Sequence, residues 1–377
     1  MILFKLILVL IKWLLVIAVL IGIPAAMFVF LHPVFGGTPD AASQARINAS
    51  PNYNGSVFVN LDPTEITPID GAHAEKPSIV DLMMSVTNPP PGKQPAEPVP
   101  TVAFDVAAMK EGSFVWLGHS SLLMRLDGKN LLLDPVFNRA SPIPLGGAPF
   151  AMTHTPTVEQ MPRLDAVLVS HDHYDHLDYR AIQALDDRTE HFYVPLGVKA
   201  HLQLWGVADD KITELDWHDS ARLGGLTFTL APSRHFSGRR LSNRFSTLWG
   251  AWVIESPQLS IYFNGDSGYG RHFALNGEKY GPFDIAFMEN GAYNEKGWPL
   301  IHMTPEQSVQ GAIELGAKQV VPVHWAKFDL AYHPWKEPIR RFIRAAADRN
   351  LPVGTPRIGE VSDLQNPSQD DWWESVK

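Results

Sequence analysis

The stretch Ala166-Val167-Leu168-Val169-Ser170-His171-Asp172-His173-Tyr174-Asp175-His176-Leu177-Asp178 decides how this chain is read. An apolar, strand-like run ends in three imidazoles and several carboxylates crowded into a few positions. His171 and His173 are two residues apart, so an extended backbone places both side chains on one side. Asp175 and His176 come where the chain turns toward a following helix, and can aim at a second point. Core packing has no use for clustered imidazoles, whereas two metal ions held side by side do. Asp172 and Tyr174 then face away, toward bracing contacts or the rim, and Asp178 is placed to cap the next helix. A cluster of this kind at the mouth of a strand points to a metallo-hydrolase.

Three further strand-like runs end in a metal-type residue: His235 after 226–230, Asp266 after 259–263 and His324 after 319–323. Alone, His235 or His324 reads as a hydrogen-bonded structural histidine, and Asp266, beside Gly265 and Gly268, as a turn residue. If the four strands share one sheet edge, their loops converge. Zinc takes nitrogen and oxygen ligands at about 2.0–2.2 Å, usually four of them. His171, His173, Asp175, His176, His235, Asp266 and His324 suffice for two such ions if one carboxylate bridges. His119, in a turn, and Asp134, before Pro135, are either turn residues or braces for the metal loop. His191, His201, His218, His272 and His333 receive no role.

The bulk numbers set the frame. The 377 residues suit one large domain or two ordinary ones. A net charge of −9 leaves no global basic field, which argues against a nucleic-acid partner. Without cysteine there are no disulfides and no thiolate ligands, so any metal rests on His, Asp or Glu. Residues 13–31 are uncharged and nearly all apolar, a length that spans a hydrocarbon core. Lys5 and Lys12 precede them, and the next charge is Asp40. The positive-inside bias puts the N-terminus in the cytoplasm. The expectation is an uncleaved single-pass anchor, with a cleaved signal peptide as the competing reading. In a bacterial cell the catalytic domain would be periplasmic.

The expected organisation is a membrane anchor over 1–36, a Pro-rich extended linker with a few docked pieces over 37–110, and a hydrolase domain over 111–377. The linker includes Asn88-Pro89-Pro90-Pro91-Gly92. Strands are expected at 113–117, 121–126, 130–133, 166–169, 226–230, 251–254, 259–263, 285–288 and 319–323. Helices are expected at 179–184, 305–315 and 338–347, with Thr304 as N-cap, Pro305 at the first helical position and Gly316 at the stop. This pattern is α/β: two sheets between helix layers.

The run His-x-His-x-Asp-His, followed by His235, Asp266 and His324, resembles the metallo-β-lactamase fold superfamily. Further segments are similar to its N-acylphosphatidylethanolamine-hydrolysing phospholipase D branch. They are Trp116-Leu117-Gly118-His119, Leu133-Asp134-Pro135-Val136-Phe137, Arg139-Ala140-Ser141-Pro142, Leu248-Trp249-Gly250, Gly265-Asp266-Ser267-Gly268-Tyr269, Gly281-Pro282-Phe283-Asp284 and Val323-His324-Trp325. The likeness runs in order over about 112–338. It implies an αββα sandwich with two zinc ions; iron or manganese suits the same donors. It also implies that His171, His173 and His235 hold one ion, and Asp175, His176 and His324 the other, with Asp266 bridging. His302 matches a family histidine near the reacting phosphate, so Asp175 and His302 are the catalytic candidates. The chain departs from the branch at Asp172, often Asn there, at Phe236 in place of Trp, and at Ser237-Gly238 in place of Cys-Lys. The last two changes lie at the rim and bear on lipid specificity.

The segment from Phe236 to Phe245 sets Phe236, Leu241 and Phe245 among Arg239, Arg240 and Arg244, a mixture suited to an anionic lipid surface. Phe236 and Arg239 are the candidate substrate contacts, although Arg239 also reads as a solvated rim charge. The expected function is a membrane-anchored dinuclear zinc phosphodiesterase acting on N-acylphosphatidylethanolamine or a related phospholipid. The alternative is a lactonase or other hydrolase of a phosphorylated small molecule on the same metals. A third reading is a non-catalytic binding module whose metals are structural.

Overall fold

The computed structural model describes residues 2–66, 90–143, 146–240 and 242–377. Asn88, Pro89 and Leu241 lie outside the described residues, as does the rest of 67–89. The strands in chain order are β1 (Ser113–Trp116), β2 (Leu122–Leu126), β3 (Lys129–Leu133), β4 (Leu164–Leu168), β5 (Thr189–Pro195), β6 (Ile212–Leu215), β7 (Ser220–Leu223), β8 (Leu226–Ala231), β9 (Ala251–Glu255), β10 (Ser260–Phe263), β11 (Ile285–Glu289), β12 (Val320–Val323) and β13 (Val361–Asp363). The helices are α1 (Ile2–Leu31), α2 (Ala41–Ala49), α3 (Tyr179–Leu185), α4 (Lys199–Leu204), α5 (His272–Tyr280), α6 (Pro305–Glu314) and α7 (Glu337–Ala347).

Two sheets form, in the orders β13-β1-β2-β3-β4-β5-β6 and β12-β11-β10-β9-β8-β7. Alternation along each strand builds the layers. Phe114, Trp116, Leu131, Leu133 and Leu168 point inward from the first sheet to meet Phe228, Trp252, Ile261, Phe263 and Phe287 of the second. The Phe114 and Phe287 rings meet edge to face at 5.0 Å. Val115, Leu123, Leu132 and Val167, one position out of phase, pack on Ile182 and Leu185 of α3 and Leu202 of α4. Val253, Tyr262 and Met288 do the same on the opposite face, against Phe273 of α5, Val309 of α6 and Phe342 of α7. The result is the expected αββα sandwich. Each fully buried side chain of this size contributes roughly 1.5–3 kcal/mol.

Local chemistry sets the helix starts. The Thr304 hydroxyl accepts from the amide of Gln307, whose side chain reaches back to the Thr304 amide, ahead of Pro305. Asp178 accepts from the amides of Arg180 and Ala181 at the start of α3. β5, β6, β7, β13, α4 and α5 were not expected from sequence. They are short, or carry polar residues where the pattern would show; β7 reads Ser-Ala-Arg-Leu and lies at a sheet edge.

The N-terminal helix is longer than the apolar stretch read from sequence. Within it Val9–Leu31 is long and apolar enough to cross a membrane, and its described side chains are exposed or half-buried. The described parts of 37–110 dock on the domain at several points. Asp40 caps α2, and Ser43 donates to Glu214 of β6. Phe58 and Val99 are fully buried in the central core. The segment is poor in periodicity because it covers the domain in pieces. The C-terminus is structural too: Trp372 and Trp373 pack on Trp325, whose ring stacks on Trp116.

Gly265, at the end of β10, has φ +59, and a Cβ there would lie 2.6 Å from Cβ of Ser170. Left-handed backbone and close approach both require glycine. Gly265→Ala is expected to cost about 1–3 kcal/mol, read as a lowered melting temperature, and to loosen the loop that starts at Ser170.

Candidate metal centre

The C-terminal ends of β4, β8, β10 and β12 deliver His171–His176, His235, Asp266 and His324 to one point. The seven residues expected from sequence are all brought together. His171 Nε2 lies 2.9 Å from His173 Nδ1, which lies 3.2 Å from His235 Nε2. Asp266 Oδ2 stands 3.8 Å from His171 Nε2 and 3.7 Å from His235 Nε2. Its other oxygen, Oδ1, stands 3.0 Å from both His176 Nε2 and His324 Nε2. Asp175 Oδ2 completes this second group at 3.7 Å and 3.5 Å from those nitrogens. Asp266 therefore presents one oxygen to each group.

These separations test the fit to a metal. The edge of a tetrahedron with ligand bonds of 2.0–2.1 Å is about 3.3 Å, which matches the spacing in both groups. His176 Nε2, His324 Nε2 and Asp266 Oδ1 are buried and have no hydrogen-bond partner. Orphaned buried polar atoms are costly, and here they aim at one another across ligand-ligand distances. The donor set is nitrogen and carboxylate oxygen only, as zinc, iron or manganese accept.

Outer contacts orient the rings. His176 Nδ1 is 2.7 Å from Asp134 Oδ2, and Asp134 also accepts from the amide and hydroxyl of Ser170. His235 Nδ1 donates to the carbonyl of Ile301, which leaves the Nε2 lone pair facing the cluster. His119 Nε2 lies 3.0 Å from Asp175 Oδ2. Backbone strain concentrates here: His119, Asp134 and His324 have φ of 54°, 41° and 66°. Asp172 points away from the cluster. It accepts from the Gly238 amide and the Thr247 hydroxyl, and from His201, whose Nδ1 accepts from the Gly37 amide.

The electrostatics are polarised. Burial holds His171, His173 and His235 below the usual histidine range, which keeps them neutral and able to coordinate. For His324 burial acts the same way, but Asp266 and Asp175 outweigh it and raise the group to about 10. His176 is raised for the same reason. Burial pushes the Asp266 carboxyl up, and His176 and His324 overcome this and hold it well below its usual range.

A cavity of about 280 Å³ opens onto the cluster between Phe236, Ala292, Trp298, Ile301, His302 and Leu330. The His302 ring lies 5.2 Å from that of His235, and Phe236 lies 4.3 Å from His173. Arg239 corrects the expectation of a substrate contact. It is 3% exposed, donates to the carbonyls of Asp172, Leu177 and Val34, and covers the Tyr174 ring at 4.1 Å. Its charge braces the back of the metal loop, because the carbonyls left free where β4 gives way to α3 need a donor. Arg240 likewise binds the carbonyls of Phe35 and Gly36 at the exit of α1.

Sequence reading missed Glu289 and His201. Glu289 ends β11, is fully buried, and accepts from His302 Nδ1 and the Ser267 amide. Its position at a strand end was the available signal. His191, His218, His272 and His333 bond to Thr213, Tyr280, Ser267 and the carbonyl of Pro334, outside the cluster.

Residues 129–325 match the beta-lactamase superfamily domain. The chain belongs to the metallo-β-lactamase fold superfamily. As a metallo-β-lactamase-fold protein it is a metal-dependent hydrolase. It is 40% identical to an uncharacterized protein of Mycobacterium tuberculosis, over 89% of this chain and 92% of that one. It is 32% identical to N-acyl-phosphatidylethanolamine-hydrolyzing phospholipase D 1 of Caenorhabditis elegans, over 83% and 94%. A metallo hydrolase of Ignicoccus hospitalis shares the fold with a TM-score of 0.51 at 21% identity, covering 66% of this chain and 96% of that one.

Asp134 touches the cluster only through His176 and Ser170. Asp134→Ala is expected to weaken metal binding about 10–100-fold, measured by competition with a chromophoric chelator.

Proposed function

We propose that this metallo-hydrolase cleaves a phosphodiester of a membrane phospholipid, in the manner of a phospholipase D, with N-acylphosphatidylethanolamine or a near relative as substrate. The observation that carries this reading is the shared carboxylate. Asp266 divides its oxygens between two groups, so the site suits two cations beneath a cavity with apolar walls. The C. elegans relative supports the substrate class.

In this reading His171, His173 and His235 would hold one zinc ion and Asp175, His176 and His324 the other, with Asp266 offering an oxygen to each group. Bound there, the ions supply Lewis acidity toward phosphoryl oxygens and lower the pKa of a water. Two divalent ions bring four positive charges, and Asp175 and Asp266 cancel two. The remaining charge favours an anionic diester over a neutral substrate. Phe236, Trp298, Ile301 and Leu330 exclude water from the reacting group and receive the apolar part of the substrate. His302, at the cavity wall, donates a proton to the departing alcohol.

α1 serves as a single-pass anchor, with the domain periplasmic in a bacterial cell. An anchored domain meets a bilayer substrate at high local concentration, a benefit irrelevant to a soluble sugar lactone. A purely structural metal site would be closed, whereas the cavity opens onto this one.

The test is a panel of N-acylphosphatidylethanolamine, phosphatidylethanolamine and a phosphorylated lactone, offered to purified full-length protein loaded with zinc. Release of phosphatidic acid from the N-acyl lipid is expected, with loss of turnover on chelation while the fold survives. Hydrolysis of the lactone alone would sink the proposal. His302→Ala should lower kcat by about 100-fold or more with bound metal unchanged. Loss of the metal in that variant would show that His302 is a ligand instead.

A further inference from the structure

The cluster contains one more buried acid than the seven groups require. Glu289 lies within reach of Asp266, His302 and His324. Its oxygens, unlike Asp266 Oδ1, are not orphaned. Oε1 accepts from His302 Nδ1, and Oε2 accepts from the Ser267 amide at 2.7 Å. A carboxylate with both oxygens engaged by donors is not waiting for a cation.

We infer that Glu289 is the positioning residue that holds His302 as proton donor to the leaving oxygen. This rests on the phosphodiesterase reading above and deepens it. An ionised carboxylate accepts hydrogen bonds and cannot donate them. Nδ1 of His302 therefore carries its proton toward Glu289, and Nε2 is the nitrogen left for the cavity. Among the described residues nothing hydrogen-bonds to Nε2. The ring is only partly covered, at 13% exposure, and lines the cavity beside the metal-facing histidines.

Glu289 is itself rigidly placed. It closes β11 opposite Val323, the residue before His324, and its carbonyl accepts from the Ser308 hydroxyl of α6 at 2.6 Å. The backbone next to His302 is fixed from the metal side, since the Ile301 carbonyl accepts from His235. One frame thus aligns the donor with the ligand shell. With the Nδ1 proton directed at Glu289, a second proton on the ring sits on Nε2 and faces the cavity.

The step balances. A water-derived oxygen forms a bond to phosphorus, and the phosphorus–alcohol bond breaks. The electron pair goes to the alcohol oxygen, which takes the Nε2 proton. The ring keeps its Nδ1 proton toward Glu289 and regains the other from the spent water before the next turnover.

Leaving-group dependence tests this, because a nitrophenolate departs without a proton and an alkoxide does not. Full-length, metal-loaded Glu289→Gln would be assayed on N-palmitoyl phosphatidylethanolamine and on phosphatidyl-p-nitrophenol. The expected result is a kcat loss of about 100-fold on the first and less than about threefold on the second, with KM little changed. Metal content and melting temperature should match the wild type. In Glu289→Gln/His302→Gln the loss should equal that of His302→Gln alone, as for residues acting through one group. Equal losses on both substrates, additive losses in the double variant, or departure of a metal ion would each overturn the role of Glu289. Wild-type protein that cleaves neither diester would instead refute the phosphodiesterase reading.

Discussion

Burying five imidazoles and two carboxylates where strand ends of both sheets meet is tolerable only with cations among them. The donor atoms lie at ligand-ligand spacing, and three of them have no hydrogen-bond partner. Without a metal such atoms carry the full desolvation penalty of unsatisfied buried groups. Much of the surrounding structure follows from holding these atoms in place. Three strained backbone positions, two outer carboxylates and the cross-strand loops all serve that end.

The bracing is layered. Asp134 ties His176 to Ser170, and the Ser170 carbonyl accepts from the Gly250 amide of the other sheet. The Val169 carbonyl accepts from the indole of Trp252. The metal loop is therefore stitched across the sandwich before any side chain meets a cation. His324 depends on a different support, the stack of Trp325 on Trp116 and Trp372. The C-terminal tryptophans thus belong to the site mechanically, although they are distant from it in sequence.

The base of the apolar helix is joined to the same loop. Arg239 spans the carbonyls of Val34, Asp172 and Leu177, and the Gly37 amide bonds His201, which in turn bonds Asp172. Asp172 sits between two metal-type histidines and faces away from them. A helix attached this way is coupled to the loop that carries the ligands, unlike one on a loose tether. This is why an arginine that looked like a substrate contact is a brace.

The metal residues were legible because their chemistry is dense and local: His171 to His176 declare themselves in six positions. His235, Asp266 and His324 were legible because each follows an apolar run. Apolar runs also made nine of the strands readable, though not the short or polar β5, β6, β7 and β13. Glu289 and Arg239 were not legible in role. A glutamate at a strand end and an arginine in a polar loop are ordinary in sequence. Their meaning comes from which groups lie opposite once the chain closes. Donor types, their spacing and the layers of the sandwich are written in the residue order alone. That Asp266 faces both groups, that Glu289 answers His302, and that Arg239 is spent on carbonyls emerges when the chain folds. Those outcomes depend on pairings between segments tens to hundreds of residues apart, and no local pattern encodes them.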